Sequence, residues 1–271
     1  MAKSAKSVVF SGDFHVGSAT ALCSAEPYVR EIDSTIKPNK IQQALREAYY
    51  DTIDSITQTP ELLVVNGEPI DGANKKQLGN QSWTTNQQDM SDDFIKLMGD
   101  FPYKKIMCGR GSAYHSNVDG MNWEEIIADK LNAEKYKAYG GKGHTDYFGF
   151  FEMNGRTFNF THHIGFNKMP AYRTTALARE MAGMHFEKDK LGEADVLVRS
   201  HIHYFVYVRF VHSHGFTTPA WKYPDGHLFR GGLAGTTPDI GAVEVIVEPN
   251  GDLEVIPHIA EIDLKPQVRH F

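Results

Sequence analysis

The chain has 271 residues, 41% of them hydrophobic, and a formal net charge of −6. That length supports one α/β domain with a substantial core, and the acidic balance argues against a broad electrostatic grip on a long polyanion, though not against a local basic groove. Two cysteines, Cys23 and Cys108, do not make a disulfide framework and fit a reducing cytosol; no run approaches the ~20 apolar residues of a membrane span, and the basic start lacks the apolar stretch of a secretory signal.

In chain order, Val8–Phe10 reads as a buried strand. Lys40 to Ile56 carries Ile41, Leu45, Ala48, Tyr49, Thr52, Ile53 and Ile56 at helical spacing. Leu62–Val65 is a second strand, Ser91 to Met98 a helix, Lys105–Met107 a third strand and Trp123 to Leu131 a helix. This β-α-β-α-β run implies parallel strands joined by crossovers. The second half changes character. Tyr147–Met153 and Thr157–Thr161 flank Asn154-Gly155, the signal of a type I′ hairpin. Pro170 to Leu191 reads as one helix with proline in its first turn, and Val196–Val198 and Phe205–Val211 as strands. Val243–Val247 and Leu253–Ile256 flank Asn250-Gly251 as a further hairpin. Parallel units followed by hairpins imply two packed sheets with helices outside, in a single domain spanning residues 1 to 271. Cys108, ending an apolar run, reads as a small buried hydrophobe.

Five successive strand ends carry Asp, Glu or His. The first ends at Asp13 and His15, the second at Glu68 and Asp71, and the third in Gly109-Arg110-Gly111-Ser112-Ala113-Tyr114-His115. The hairpin strand ends at His162-His163, and the late strand at His201-Ile202-His203. Ligands of open α/β sheets bind at such ends. In Asp13-x-His15 and His201-x-His203, alternate residues of an extended segment point the same way. Imidazole and carboxylate together suit divalent transition metals, and two ions can clamp a phosphoryl group. Glu68 is the carboxylate placed to bridge them. Arg110 and Lys168 are candidate holders of phosphate oxygens. His144, His212, His214 and His227 are weaker candidates for a cleft. The aromatic set Trp83, Tyr114, Phe166, Tyr172 and Tyr204 reads mainly as packing, with base stacking as the alternative.

The order Asp-x-His, Gly-Asp-x-x-Asp, Gly-Asn-His-Asp/Glu, His, Gly-His-x-His marks the calcineurin-like metallophosphoesterases. This chain resembles a divergent member over residues 11 to 203, and some phage-encoded relatives share a Gly-Thr/Ser-x-x-His pattern like that of Gly111 to His115. The resemblance implies a four-layer α/β-β/α sandwich of two mixed sheets with flanking helices. It implies that Asp13, His15 and His203 hold a first metal, that His162 and His201 hold a second, and that Glu68 bridges in place of the family's Asp. His163 competes with His162 or faces the substrate. Asp71 closes the second motif from behind the ligands. Ser112 is a weak ligand or an orienter, and His115 supplies either a metal bond or the leaving group's proton.

The activity implied is hydrolysis of phosphate esters, phosphodiesters before monoesters, by in-line attack of a hydroxide held between two divalent ions. Mn²⁺ is favoured over Fe²⁺, Zn²⁺ or Ni²⁺, the substrate is of nucleotide or single-stranded nucleic-acid type, and the location is cytoplasmic. The alternatives are a catalytically degenerate relative that binds a nucleotide or a partner, and a phosphomonoesterase or protein phosphatase. Metallo-β-lactamase-like and amidohydrolase readings fail, because His-x-His-x-Asp-His on one segment and an opening His-x-His are both missing.

Overall fold

Alternation along the strands sets the layers. The computed structural model describes residues 4–73, 78–118, 120–136, 143–167, 169–226 and 237–262; Lys168 and His227 lie outside them. Strands β1 (Lys6–Ser11), β2 (Leu62–Asn66), β3 (Ile106–Gly109) and β4 (Thr145–Asp146) run parallel. The hairpin of β10 (Ile240–Val247) and β11 (Leu253–Ala260) adds antiparallel to β1, giving the order β11-β10-β1-β2-β3-β4. A second sheet is formed by β5 (Gly149–Met153), β6 (Arg156–Thr161), β7 (Val196–Arg199), β8 (Tyr207–Arg209) and β9 (His214–Thr217). Its order is β8-β9-β7-β6-β5, with β6, β7 and β9 parallel and a hairpin strand at each edge.

Both sheets are mixed, and period-2 side-chain direction assigns each residue to a layer. Val8 and Phe10 of β1, Leu62 and Val64 of β2, Phe158 and Phe160 of β6, and Val196 and Val198 of β7 form the core between the sheets. Val9, Leu63 and Val65 face the other way, into a core under α1 (Lys40–Ser55), α2 (Gln87–Asp100) and, beyond the short α3 (Ala113–Ser116), α4 (Trp123–Lys130). Leu197 faces α5 (Thr175–Phe186), where it packs with Leu177, Met181 and Met184. Each fully buried Phe, Val or Leu side chain contributes about 1.5–3 kcal/mol. Helix, sheet, sheet, helix is the four-layer arrangement expected.

Caps decide where the helices begin. Asn39 accepts from the Gln42 amide while the Gln42 side chain returns the bond, so α1 starts at Lys40. Asn86 caps α2 a turn earlier than the expected start at Ser91, and Asn122 caps α4. The Asn154-Gly155 turn has φ of 48° and 82°, both left-handed, as a type I′ hairpin requires.

Three expectations are corrected. Pro170–Leu191 is not one helix but a 3₁₀ turn (Pro170–Tyr172), α5 and a short α6 (Lys188–Leu191). Thr174 and Thr175 are β-branched and poor helix formers, and the apolar stripe that docks the helix begins only at Leu177. The strand expected over Phe205–Val211 shrinks to β8, because the chain turns at Phe210–Ser213 and returns as β9. The return strand was concealed by His212-Ser213-His214-Gly215, which carries no apolar alternation. The last hairpin is longer than expected at its open end, with Ile240 pairing Ala260. Cys23 and Cys108 are free and buried, and Cys108 packs in the helix-side core. Among the described residues, no helix is long and apolar enough to cross a membrane.

Candidate metal centre

The loops leaving β1 and β2 run side by side. The Asp13, His15 and Val16 amides donate to the carbonyls of Gly67, Glu68 and Pro69, at 3.2, 3.0 and 3.1 Å. Asp13-x-His15 and His201-x-His203 are not the extended segments that the sequence suggested. Asp13, His15, Glu68, His201 and His203 all have left-handed φ, between 48° and 72°. Such backbone is strained for residues with a Cβ and persists only where surroundings enforce it. Gly67, at φ 85°, makes the approach possible: a Cβ there would lie 2.5 Å from His162 Nδ1 and 2.8 Å from Gly111 Cα.

These turns bring the expected ligands together. His15 Nε2 lies 3.0 Å from Glu68 Oε2, 3.3 Å from His203 Nε2 and 3.8 Å from Asp13 Oδ1. His203 Nε2 is 3.3 Å from the same Asp13 oxygen. On the other side, His162 Nε2 is 3.2 Å from Glu68 Oε1 and 3.8 Å from Asp13 Oδ1. Glu68 thus presents one oxygen to each set of imidazoles. Ligands bound at about 2.1 Å stand roughly 3–3.5 Å apart around an ion, so these separations fit coordination. Asp13 Oδ1 and His162 Nε2 are buried and have no hydrogen-bond partner. Orphaned buried polar atoms are costly, and a cation would satisfy both.

The partners behind the imidazoles fix their tautomers. His15 Nδ1 donates to Asp71 Oδ1 at 3.1 Å, and His162 Nδ1 to the Asn66 carbonyl at 2.7 Å. Both acceptors lack protons, so Nδ1 carries the hydrogen and Nε2 is the atom available to an ion. Burial opposes ionisation of Asp71, but Lys222 Nζ at 3.1 Å and His15 outweigh it and hold the carboxyl well below the usual range. Burial likewise opposes charge on His162; Glu68 and Asp13 overcome it and lift the imidazole to about 10, so below that pH Nε2 holds a proton that a bound cation would have to displace. Glu68 is held well below its ordinary value by His162 and His15, against its own burial. Burial pushes His201 down to about 4.

The third-motif loop divides the remaining candidates. Ser112 Oγ donates to Glu68 Oε1 at 2.5 Å, which makes it an orienter of that carboxylate. His115 lies with its ring 4.6 Å from that of His15, and its Nδ1 donates to the Asp71 carbonyl at 2.7 Å. It lines a cleft of about 290 Å³ together with His15, Glu68, His201, His203 and Lys222. His163 stands at the rim beside His162 and His201. Arg110 is not at this site: its guanidinium donates to Thr145 Oγ1 and Tyr147 OH and faces Glu125. The Arg110 amide donates to the Asp146 carbonyl at 2.8 Å, tying the loop to β4. Among the aromatics, Phe166 and Tyr204 line the cleft and Trp83 packs on the helix-side core. His144 is committed to Ala133 and Asp129, and His212 and His214 line a separate hollow.

Two residues that brace the cluster escaped the sequence reading. Lys222 is half-buried, with Nζ between Asp71 and Asp225 at 3.1 and 3.5 Å. Glu124 is buried, and its Oε1 accepts from the amides of Gly111 and Glu68, at 2.8 and 3.1 Å. A first-turn Glu and a lone Lys each read as solvated in a sequence; only the neighbouring Trp221 and Trp123 hint at burial.

No protein-family model and no curated protein matches the chain. Its overall course is similar to that of several solved structures. These include a Vps29 single mutant from Entamoeba histolytica, at 11% identity and TM-score 0.41, covering 93% of this chain and 98% of that one. An archaeal phosphodiesterase matches at 14% identity and TM-score 0.41, covering 93% and 99%. A predicted phosphoesterase from Streptococcus pneumoniae matches at 9% identity and TM-score 0.37, covering 94% and 99%. Likeness at this level concerns the path of the chain; the chemistry comes from the residues above. Two mixed sheets between helices, with carboxylates and imidazoles at the strand ends, form the arrangement that the sequence motifs resemble, that of calcineurin-like metallophosphoesterases.

Proposed function

We propose that the chain is a metal-dependent phosphoesterase that holds two divalent ions and acts on phosphodiesters before monoesters. The observation that carries this reading is the division of Glu68, with Oε2 3.0 Å from His15 on one side and Oε1 3.2 Å from His162 on the other. Asp13, His15 and His203 would hold one ion and His162 and His201 the other, with Glu68 placed to reach both. When bound, the ions supply charge neutralisation at the phosphoryl group and a water acidic enough to attack at neutral pH.

The chain's own residues do the rest. Asp71 orients His15 and is itself anchored by Lys222. Ser112 orients Glu68. His115 gives its Nδ1 hydrogen to the Asp71 carbonyl and turns Nε2 to the cleft; it hands a proton to the leaving oxygen only as the imidazolium, a form that burial disfavours. Phe166, exposed along the cleft, offers a face for a base, which supports a nucleotide or single-stranded nucleic-acid ester. Mn²⁺ is the expected activator and the cytosol the expected location. The non-catalytic reading draws on Ser112, whose hydroxyl is spent on Glu68.

The test is hydrolysis of bis-p-nitrophenyl phosphate by purified protein with added Mn²⁺. Turnover is expected, stopped by a chelator and abolished in Asp13→Ala and His201→Ala. Activity that persists unchanged in both variants overturns the proposal. Two bound ions without turnover on mono- or diesters favours the binding protein.

A further inference from the structure

Three imidazoles, not two, meet on the Oε1 side of Glu68. Donor atoms of His162, His163 and His201 lie within 4.8 Å of one another. Their ring centroids are 4.5 Å apart for His163 and His201, and 5.2 Å for each of the other pairs. Adjacent residues of a strand point to opposite faces. Here β6 has ended at Thr161, so the chain is free to bring both His162 and His163 to one spot. His162 is fully buried with an unpartnered Nε2, the independent sign that the cluster surrounds a ligand. His163 is exposed at the rim and closes the cluster from the solvent side.

We infer that His163 is a metal ligand alongside His162 and His201, which makes the second position a three-imidazole, one-carboxylate site for a nitrogen-preferring ion such as Zn²⁺. This rests on the proposed two-ion centre and deepens it. The first position offers two carboxylates and two imidazoles, from Asp13, Glu68, His15 and His203. The two are therefore chemically unequal. Nitrogen donors favour Zn²⁺, Co²⁺ or Ni²⁺ over Mg²⁺ and Ca²⁺, and Mn²⁺ binds such a set less tightly than Zn²⁺. The first position is the more tolerant of Mn²⁺.

The experiment is metal binding, read without turnover. Metal-depleted wild type, His163→Ala and His163→Gln are titrated with Zn²⁺ by calorimetry and with Co²⁺ by visible absorption, and bound metal is counted after desalting. The wild type is expected to take two ions per chain. Both variants are expected to keep one with unchanged affinity and to lose the other by on the order of 100-fold, as removal of a direct ligand costs at least as much as removal of the group behind it. The Co²⁺ band of one site should change in position and intensity. Since His163 is exposed, circular dichroism should match the wild type. Two ions bound with unchanged affinities and spectra in both variants overturn this inference and leave the two-ion centre standing. A wild type that binds no ion overturns both.

Discussion

Glu124 holds two strand-end loops in place, and its replacement tests whether the centre is built by the fold before any ion arrives. Its Oε1 accepts from the Gly111 amide at 2.8 Å and the Glu68 amide at 3.1 Å, and the side chain is buried. Glu68 is held there at φ 54°, a conformation that costs about 1–3 kcal/mol and persists only where the surroundings enforce it. Glu124→Ala strands two buried donors at about 1–3 kcal/mol each. The expected loss is about 2–6 kcal/mol, a large part of the ~5–15 kcal/mol typical of a domain. Glu124→Gln keeps a carbonyl oxygen for both amides. Burial raises the Glu124 carboxyl above its ordinary value. The folded state therefore binds that proton more tightly than the unfolded chain, and the ionised carboxylate weakens the fold above the usual carboxyl range. The glutamine removes that penalty at pH 7, so it should stay within about 1 kcal/mol of wild type, or exceed it. Urea unfolding with chelator present reads both variants, and bound metal is counted on the folded samples. Wild-type stability in Glu124→Ala would refute the reasoning. A glutamine variant as weak as the alanine one would show that charge, not the acceptor, holds the loops.

Gly67→Ala forces a Cβ to 2.5 Å from His162 Nδ1 and to 2.8 Å from Gly111 Cα, at φ 85°; it should abolish phosphoesterase activity and metal retention. Gly155→Ala, at φ 82° with nothing within 4 Å, should cost only about 1–2 kcal/mol and spare the centre, so equal damage in both would refute the steric account. Phe10→Ala removes a ring that meets Phe216 edge-on at 5.4 Å and Phe158 at 5.9 Å between the sheets, for an expected loss of about 3–5 kcal/mol by urea unfolding. A loss under ~1 kcal/mol would mean that the two sheets do not share this core. Glu244 is buried and its burial favours the neutral form, yet bonds from His258, Ser7 and Thr57 lower it from 4.5 to about 2. A depressed carboxyl stabilises above its unfolded value and loses that contribution as pH falls. Stability worth at most about 3 kcal/mol should disappear between pH 4.5 and about 2. Glu244→Gln should flatten that window in acid unfolding, and an unchanged acid profile would count against the bonded carboxylate.

Much of the architecture was legible in the chain because strand periodicity is local. Val8, Val9 and Phe10 alternate between two cores by pleat alone, and Asn154-Gly155 selects its turn by backbone conformation alone. The strand β9 was not legible, since His214 and Gly215 are strand residues only because β7 and β8 lie beside them. At the centre, Asp13, His15, Glu68, His162, His201 and His203 were readable as chemically suited side chains at strand ends. Their convergence was implied by the resemblance of the motifs but not by periodicity, because it depends on left-handed turns that no propensity favours for those residues and on the space that Gly67 leaves beside His162.

Charge was the least readable quantity. Arg110, Lys222 and Glu124 look alike in a sequence, each a polar residue near a strand or helix end. Arg110 turns to Glu125 and Tyr147, Lys222 is drawn in against Asp71, and Glu124 is buried under two amides. The sequence by itself determined the layers and the kinds of atom available at the strand ends, because pattern and donor chemistry are properties of neighbouring residues. Only the tertiary structure decided which of those atoms share one site and in what protonation state, because burial and charge pairing come from residues such as Asp13 and His203 that lie far apart along the chain.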